Sequence, residues 1–184
     1  LEKAGAVRLK NPQLETLTKA AFTFKEGQGG GCAEPVVNKD FIGKDAAVLA
    51  KTAGAQAPEG TQVLFAETDT AQPFVREEQM MPFMPVVRTR NVKEAMQLAF
   101  EAEHRFGHTA MIHSNDLEVI TEFCKLIDTD IVVVNGHSLA GNGPPAGEGY
   151  FSHTISSPTG EGICTPRDFA RIRRICTYNS LRIV

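Results

Sequence analysis

Apolar positions along this chain recur with two spacings, one near four residues and one near two, and the alternation between them outlines the secondary structure. Asn11 and Pro12 form a cap and first-turn pair, after which Leu14, Leu17, Ala21 and Phe24 recur at helical spacing. A glycine-rich stretch containing GQGGGCAE, within residues 26–35, breaks that pattern and reads as a surface loop. Asp45 can cap a short helix that runs to Ala53, and Gly54 is placed to end it in the left-handed conformation. Residues 62–67 and 84–88 have the length and content of strands. Asn91 follows, and Glu94 three residues later completes a capping-box pattern for a helix whose apolar side carries Val92, Ala95, Met96 and Ala99.

The second half repeats the scheme: a strand over 108–113, a helix over 115–127 with Leu117, Ile120, Cys124 and Ile127 inward, and a strand over 130–135. The run DIVVVN is apolar on both faces, as for a strand covered by helices on either side. Such βαβ alternation predicts an α/β fold, an open and mostly parallel twisted sheet with helices on both faces and right-handed crossovers. The Gly- and Pro-rich loop over 136–149 then lies just past a strand's carboxyl end, where open α/β sheets place their ligands. Thr165 and Pro166 start a last helix carrying Phe169 and Ile172. The closing ICTYNSLRIV is β-rich and is expected to pair with another chain, making a homo-oligomer.

With 184 residues, 42% of them hydrophobic, the chain can form one domain or one lobe of a larger protein. A net charge of −3 offers no basic surface for nucleic acid. Apolar runs such as residues 131–134 are strand-sized, so no membrane span is expected, and nothing at the N-terminus resembles a secretion signal. Cys32, Cys124, Cys164 and Cys176 are widely spaced with no CxxC pair, which suits reduced thiols in a cytoplasm. Leu1 in place of methionine points to a processed or shortened chain.

Several motifs lose their chemical reading on closer inspection. GNGPPAGEG lacks GxGxxG spacing, and Pro144 and Pro145 have no N–H to cradle phosphate. His104 and His108 are four apart, but Phe106 and Gly107 end the helix between them and no further ligand completes a set, so no metal site is expected. Cys124 falls in the apolar register of its helix and reads as core, with Cys32 in its glycine-rich loop the thiol hardest to set aside.

The run REEQMMPFMPVV, residues 76–87, resembles the cofactor-ribose segment of the aldehyde dehydrogenase superfamily, with Glu78 at the position whose carboxylate holds the nicotinamide ribose. A carboxylate beside a Met- and Pro-rich run needs a polar partner where it is buried, and a ribose diol is one. Met80 and Met81 replace the usual Phe and Gly. The longer stretch EEQMMPFMPVVRTRNVKEAMQLAFEAEHRFGHTAMIHS is similar to the CoA-acylating branch, the propionaldehyde and acetaldehyde enzymes of bacterial microcompartments. The likeness runs from NKDFIGKDA through VNGHSLAGNG and GEGYFSHTISSPTGEG to PRDFARIRR, over residues 41–174.

This resemblance implies an oxidoreductase of aldehyde dehydrogenase catalytic-domain fold, incomplete relative to the family, acting on a short-chain aldehyde with NAD and coenzyme A. It implies cofactor binding by Glu78, Met80 and Pro82, a role for His108 of GHTAMIHS in the attack of CoA on a thioester, and a substrate pocket at Asn135, Ser138 and Gly141. It divides the chain into a catalytic-domain portion, residues 1–160, and a helix and strand over 161–184 that return to a partner domain or subunit. In the family the nucleophilic cysteine and the nucleotide-binding domain precede the segment that Leu1 resembles, so both are expected upstream. A cytoplasmic setting follows, including the interior of a microcompartment. Two alternatives are a non-catalytic binding or assembly module of the same fold and a relative of glutamyl phosphate reductase; GHTAMIHS and SPTGEG fit the latter poorly.

Overall fold

After a 3₁₀ turn at Glu2–Ala4 comes a two-residue strand, β1 (Val7–Arg8), and Pro12 then occupies the first turn of α1 (Asn11–Ala21), where its missing N–H leaves no bond unmade. Lys10, not Asn11, is the capping position, and Leu14, Leu17 and Ala21 form the buried stripe. This computed structural model describes residues 1–25 and 34–143, together with 147, 170 and 171.

Asn38 ends α1 by taking its last carbonyls. The Asn38 side-chain amide donates to Ala20 O at 3.0 Å and its backbone N–H donates to Ala21 O at 2.8 Å. The backbone switches there to β2 (Phe22–Lys25), which pairs antiparallel with β3 (Glu34–Val37). Phe24, expected on the helix, therefore sits on a strand and is 52% exposed, while Phe22 takes the buried place. The hairpin also claims Glu34 and Pro35 from the expected loop; residues 26–33, Cys32 among them, lie outside the described residues.

Asp45 occupies the N-cap position of α2 (Ala46–Thr52), but its side chain makes no capping hydrogen bond; the helix ends as its sequence predicts. Gly54, at φ +67°, donates to Lys51 O at 3.1 Å and Ala55 donates to Ala50 O at 2.8 Å, the paired bonds of a Schellman motif. Strand β4 (Leu64–Thr68), helix α3 (Pro73–Arg76) and strand β5 (Phe83–Val87) follow. The strand order is β1-β4-β5, all parallel, with Val7 opposite Leu64 and Leu64 opposite Phe83.

Leu17, Leu49 and Leu64 have no exposed area in the core of this unit, Leu1–Leu98, and each such burial is worth about 1.5–3 kcal/mol. Phe74 joins the layers, edge-on to Phe22 at 4.8 Å between ring centroids and 4.4 Å from Phe83. At the start of α4 (Val92–Glu103) Asn91 Oδ1 accepts from the Glu94 N–H at 2.9 Å, and the Glu94 carboxylate reaches one residue beyond the cap to accept from the Arg90 N–H at 2.7 Å. Met96 is the buried residue of α4; Val92 and Ala95, expected on its apolar side, are exposed.

The second unit, Ala99–Val184, is built on a parallel pair, β6 (Thr109–Ile112) and β7 (Ile131–Val134), joined by α5 (Leu117–Ile127). Asp116 Oδ1 caps α5, accepting from the N–H groups of Glu118 at 2.9 Å and Val119 at 3.2 Å. The buried stripe of α5 differs from the expected one. Phe123 and Ile127 are buried with Ile120 partly so, while Leu117 is 78% exposed and Cys124 is exposed. At 100° per residue Leu117 and Cys124 lie roughly 80–100° around the helix from the Phe123–Ile127 line, and the larger ring sets which face turns in. Strand β7 buries Ile131 and Val133 but leaves Val134 43% exposed, so it is more one-sided than its apolar run suggests.

The α/β class and the parallel pairing are as the pattern predicts. A 3₁₀ turn, Ser138–Asn142, follows β7. Of the expected last helix only residues 170 and 171 are described, and neither is helical; Phe169, Ile172 and the strand in ICTYNSLRIV lie outside the described residues. Among the described residues no helix is long and apolar enough to cross a membrane.

Candidate functional site

The segment between α3 and β5 carries Glu78, Met80 and Pro82, and its backbone is tied down at each step. Gly43 donates to Met80 O at 3.1 Å, Leu64 donates to Pro82 O at 2.9 Å, and the Phe83 N–H folds back onto Met81 O at 2.7 Å. Alternate side chains consequently face opposite ways. Met81 and Phe83 enter the core, whereas Glu78 is exposed and Met80, at φ +48°, is 61% exposed. The left-handed backbone at Met80 costs about 1–2 kcal/mol for a side chain with a Cβ. Glu78 therefore needs no partner to compensate burial, which corrects the sequence argument; among the described residues its carboxylate has no hydrogen-bond or ion-pair partner. An exposed carboxylate beside an exposed thioether can accept from both hydroxyls of a diol while the sulfur side chain covers an adjoining apolar ring.

Gln79, between them, was not singled out from the sequence. Its Nε2 donates to Phe83 O at 3.0 Å, closing the bend, and its Oε1 is buried with no hydrogen-bond partner among the described residues. Described residues within Leu1–Leu98 line open grooves at either end of β4. One, of about 550 Å³, lies at the carboxyl ends of β1 and β4 among Arg8, Asn11, Glu67, Asp69 and Gln72. There Arg88 donates to Glu67 at 2.6 and 3.0 Å, and this hydrogen bond holds the Glu67 carboxyl below the usual carboxylate range. The other, of about 530 Å³, runs between Lys44, Asp45, Glu59, Thr61 and Pro82. Pro82 is the one predicted site residue that lines either groove.

In Ala99–Val184 the remaining predicted residues separate along the β6–β7 ladder. His108 stands just before β6, half-buried, with Nδ1 2.5 Å from Thr109 Oγ1 and its carbonyl accepting from the Ile131 N–H at 3.0 Å. Asn135 follows β7 at the other end, roughly 16 Å away at about 3.3 Å per strand residue. Its side-chain amide bonds Ser114 twice, accepting from the Ser114 N–H at 2.9 Å and donating to Ser114 O at 2.8 Å, with φ at +55°. Asn135 thus clasps the two strands.

The chain then doubles back along β7. A methyl at Gly136 would lie 3.0 Å from Val133 and one at Gly141 2.3 Å from Ile131 Cγ2. Ser138 is exposed on the way, and Gly141 arrives beside the residue whose N–H bonds His108. His108 and Gly141 are therefore brought to one end of the ladder, and Asn135 remains at the other. Among the described residues no group of three or more His, Cys, Asp or Glu could hold a metal ion.

The family model described as the aldehyde dehydrogenase family matches residues 50–149, more than half of the chain. Over 184 residues the chain is 39% identical to the acetylating acetaldehyde dehydrogenase EutE of Salmonella typhimurium, covering 100% of this chain and 38% of that protein. It is similar to the structure of Rhodopseudomonas palustris propionaldehyde dehydrogenase with bound propionyl-CoA, at 40% identity and TM-score 0.80, covering 93% of this chain and 36% of that one. A propionaldehyde dehydrogenase from the Clostridium phytofermentans fucose utilisation bacterial microcompartment gives 33% identity and TM-score 0.81, covering 98% of this chain and 39% of that one. The chain spans well under half the length of the relatives it matches. It belongs to the aldehyde dehydrogenase family.

Proposed function

We propose that this chain is part of the catalytic lobe of a CoA-acylating aldehyde dehydrogenase, converting a short-chain aldehyde, NAD and coenzyme A to an acyl-CoA and NADH. The observation that carries this reading is the 39% identity to an acetylating acetaldehyde dehydrogenase along the whole of the chain. NAD supplies the hydride acceptor when bound. Glu78 accepts from the ribose diol, Met80 covers the ring beside it, and Pro82 holds the segment's shape through its carbonyl bond to Leu64.

His108 serves the CoA step. In the tautomer whose Nδ1–H donates to Thr109 Oγ1, Nε2 is the basic nitrogen, and it is this nitrogen that takes the thiol proton as CoA attacks the acyl thioester and the cysteine thiolate leaves. Ser138 and Gly141 belong to the turn that returns to this end, while Asn135 contributes by fixing where that turn begins. Cys124, exposed in the middle of α5, is at no helix N-terminus and is not the nucleophile. The protein works as a homo-oligomer in the cytoplasm or inside a microcompartment.

The test is the complete enzyme, assayed for propionaldehyde-dependent NAD reduction. Turnover requires CoA, Glu78→Gln raises KM for NAD by about tenfold, the worth of one charge-assisted hydrogen bond, and His108→Ala slows acyl transfer to CoA. Reduction supported by phosphate in place of CoA would overturn the reading in favour of a phosphorylating relative.

A further inference from the structure

Two residues in succession, His104 and Arg105, adopt the left-handed conformation after α4, at φ +53° and +63°, and Gly107 adds a third at +70°. Side chains with a Cβ visit this region as single residues, so a consecutive pair persists only where the surroundings impose it. Glu103 imposes it. As the last residue of α4, it accepts with its backbone carbonyl from the Phe106 N–H at 3.0 Å and with its carboxylate Oε1 from the Gly107 N–H. One residue thus closes the turn from both sides. Beyond the turn, Gly107 O accepts from the Asp130 N–H at 2.8 Å and His108 O accepts from the Ile131 N–H at 3.0 Å, so the turn delivers Gly107 and His108 together into register with the start of β7.

We propose that Glu103 is a positioning residue for His108: its carboxylate latches the Gly107 N–H across the strained turn and thereby aims the imidazole. The consequence for catalysis rests on the proposed use of His108 in the CoA step, while the positioning itself is read independently of activity. Glu103→Ala and Glu103→Gln are compared in the 184-residue chain by amide exchange at Gly107 and by the imidazole resonances of His108, His113 and His137. Glu103→Ala speeds Gly107 exchange by about tenfold, the worth of one hydrogen bond, and moves the His108 resonances while those of His113 and His137 hold; Glu103→Gln, which keeps the acceptor, restores both. Unchanged Gly107 exchange, or equal movement of all three histidines, would overturn the proposal. In the complete enzyme Glu103→Ala lowers kcat for acyl transfer and Glu103→Gln recovers it. Full activity of His108→Ala would instead remove the catalytic reading and leave the resonance result standing.

Discussion

Replacing Gly141 with alanine is the sharpest probe of the chain's return along β7. The backbone there has no positive φ, so alanine's reduced unfolded-state freedom alone would stabilise by about 0.4–1 kcal/mol. Packing opposes this. The added methyl would lie 2.3 Å from Ile131 Cγ2 and 3.5 Å from both Cβ and Cδ1, more than an ångström inside the usual carbon contact of about 3.5–4.0 Å. Ile131 is 7% exposed and β-branched, so it has no free rotamer to escape into. Overpacking of this kind costs about 1–3 kcal/mol, leaving a net loss of about 1.3 kcal/mol at the middle of the two ranges. Native-state amide exchange of the β7 residues reads this unit directly and should quicken by about tenfold for each 1.4 kcal/mol lost. In an Ile131→Ala background, itself destabilised by about 2 kcal/mol, the same substitution meets only a Cβ at ordinary contact and should cost nothing further. Equal penalties in the two backgrounds, or none in the parent, would refute the close approach.

Two other outcomes follow from hydrogen bonds already described. Glu67 has a lowered pKa in the folded chain, chiefly through the Arg88 hydrogen bond, so its contribution to stability is complete above about pH 4.5 and is lost as pH falls through the folded value. Urea midpoints measured from pH 6 downward should show that acid limb, and Glu67→Gln should flatten it; an unchanged profile would refute the link. At Asn135, alanine loses both bonds to Ser114 and keeps the strained φ, whereas glycine loses the bonds and relieves the strain, so thermal melts should rank the parent above glycine and glycine about 1 kcal/mol above alanine. Alanine matching glycine would show that φ is not what Asn135 serves.

Periodicity located α1, α2 and the βαβ unit because each rests on local chemistry: Pro12 in a first turn, Gly54 beyond a last one, β-branched runs in β7. It misplaced Phe24 because helical spacing at 14, 17, 21 and 24 continues on paper past the point where Asn38, seventeen residues beyond Ala21, takes over the helix carbonyls. It misread α5 because seven apolar residues spread over more of the helix than one sheet can cover, and Phe123 outweighs Cys124.

The site divides similarly. Glu78 and His108, whose roles are proposed, stand out in the sequence as motif positions, but the bond from Glu103 and the bend closed by Gln79 do not, since both join a side chain to the backbone four residues away. A Glu in the last turn of a helix, followed by three residues and a glycine short of a strand, is the signal that could have pointed to the first.

The alternation between Glu78 and Met84 separates what folding demands from what selection can alter. Met81 and Phe83 are committed to the core and Gln79 to the bend, yet Glu78, Met80 and Met84 project outward from a backbone held by bonds in which their side chains take no part. Diversity introduced at 78, 80 and 84 should therefore survive expression at nearly every residue type, while 79, 81 and 83 tolerate few. The same dozen residues can change what they contact from one descendant to the next without reopening the question of whether the protein folds.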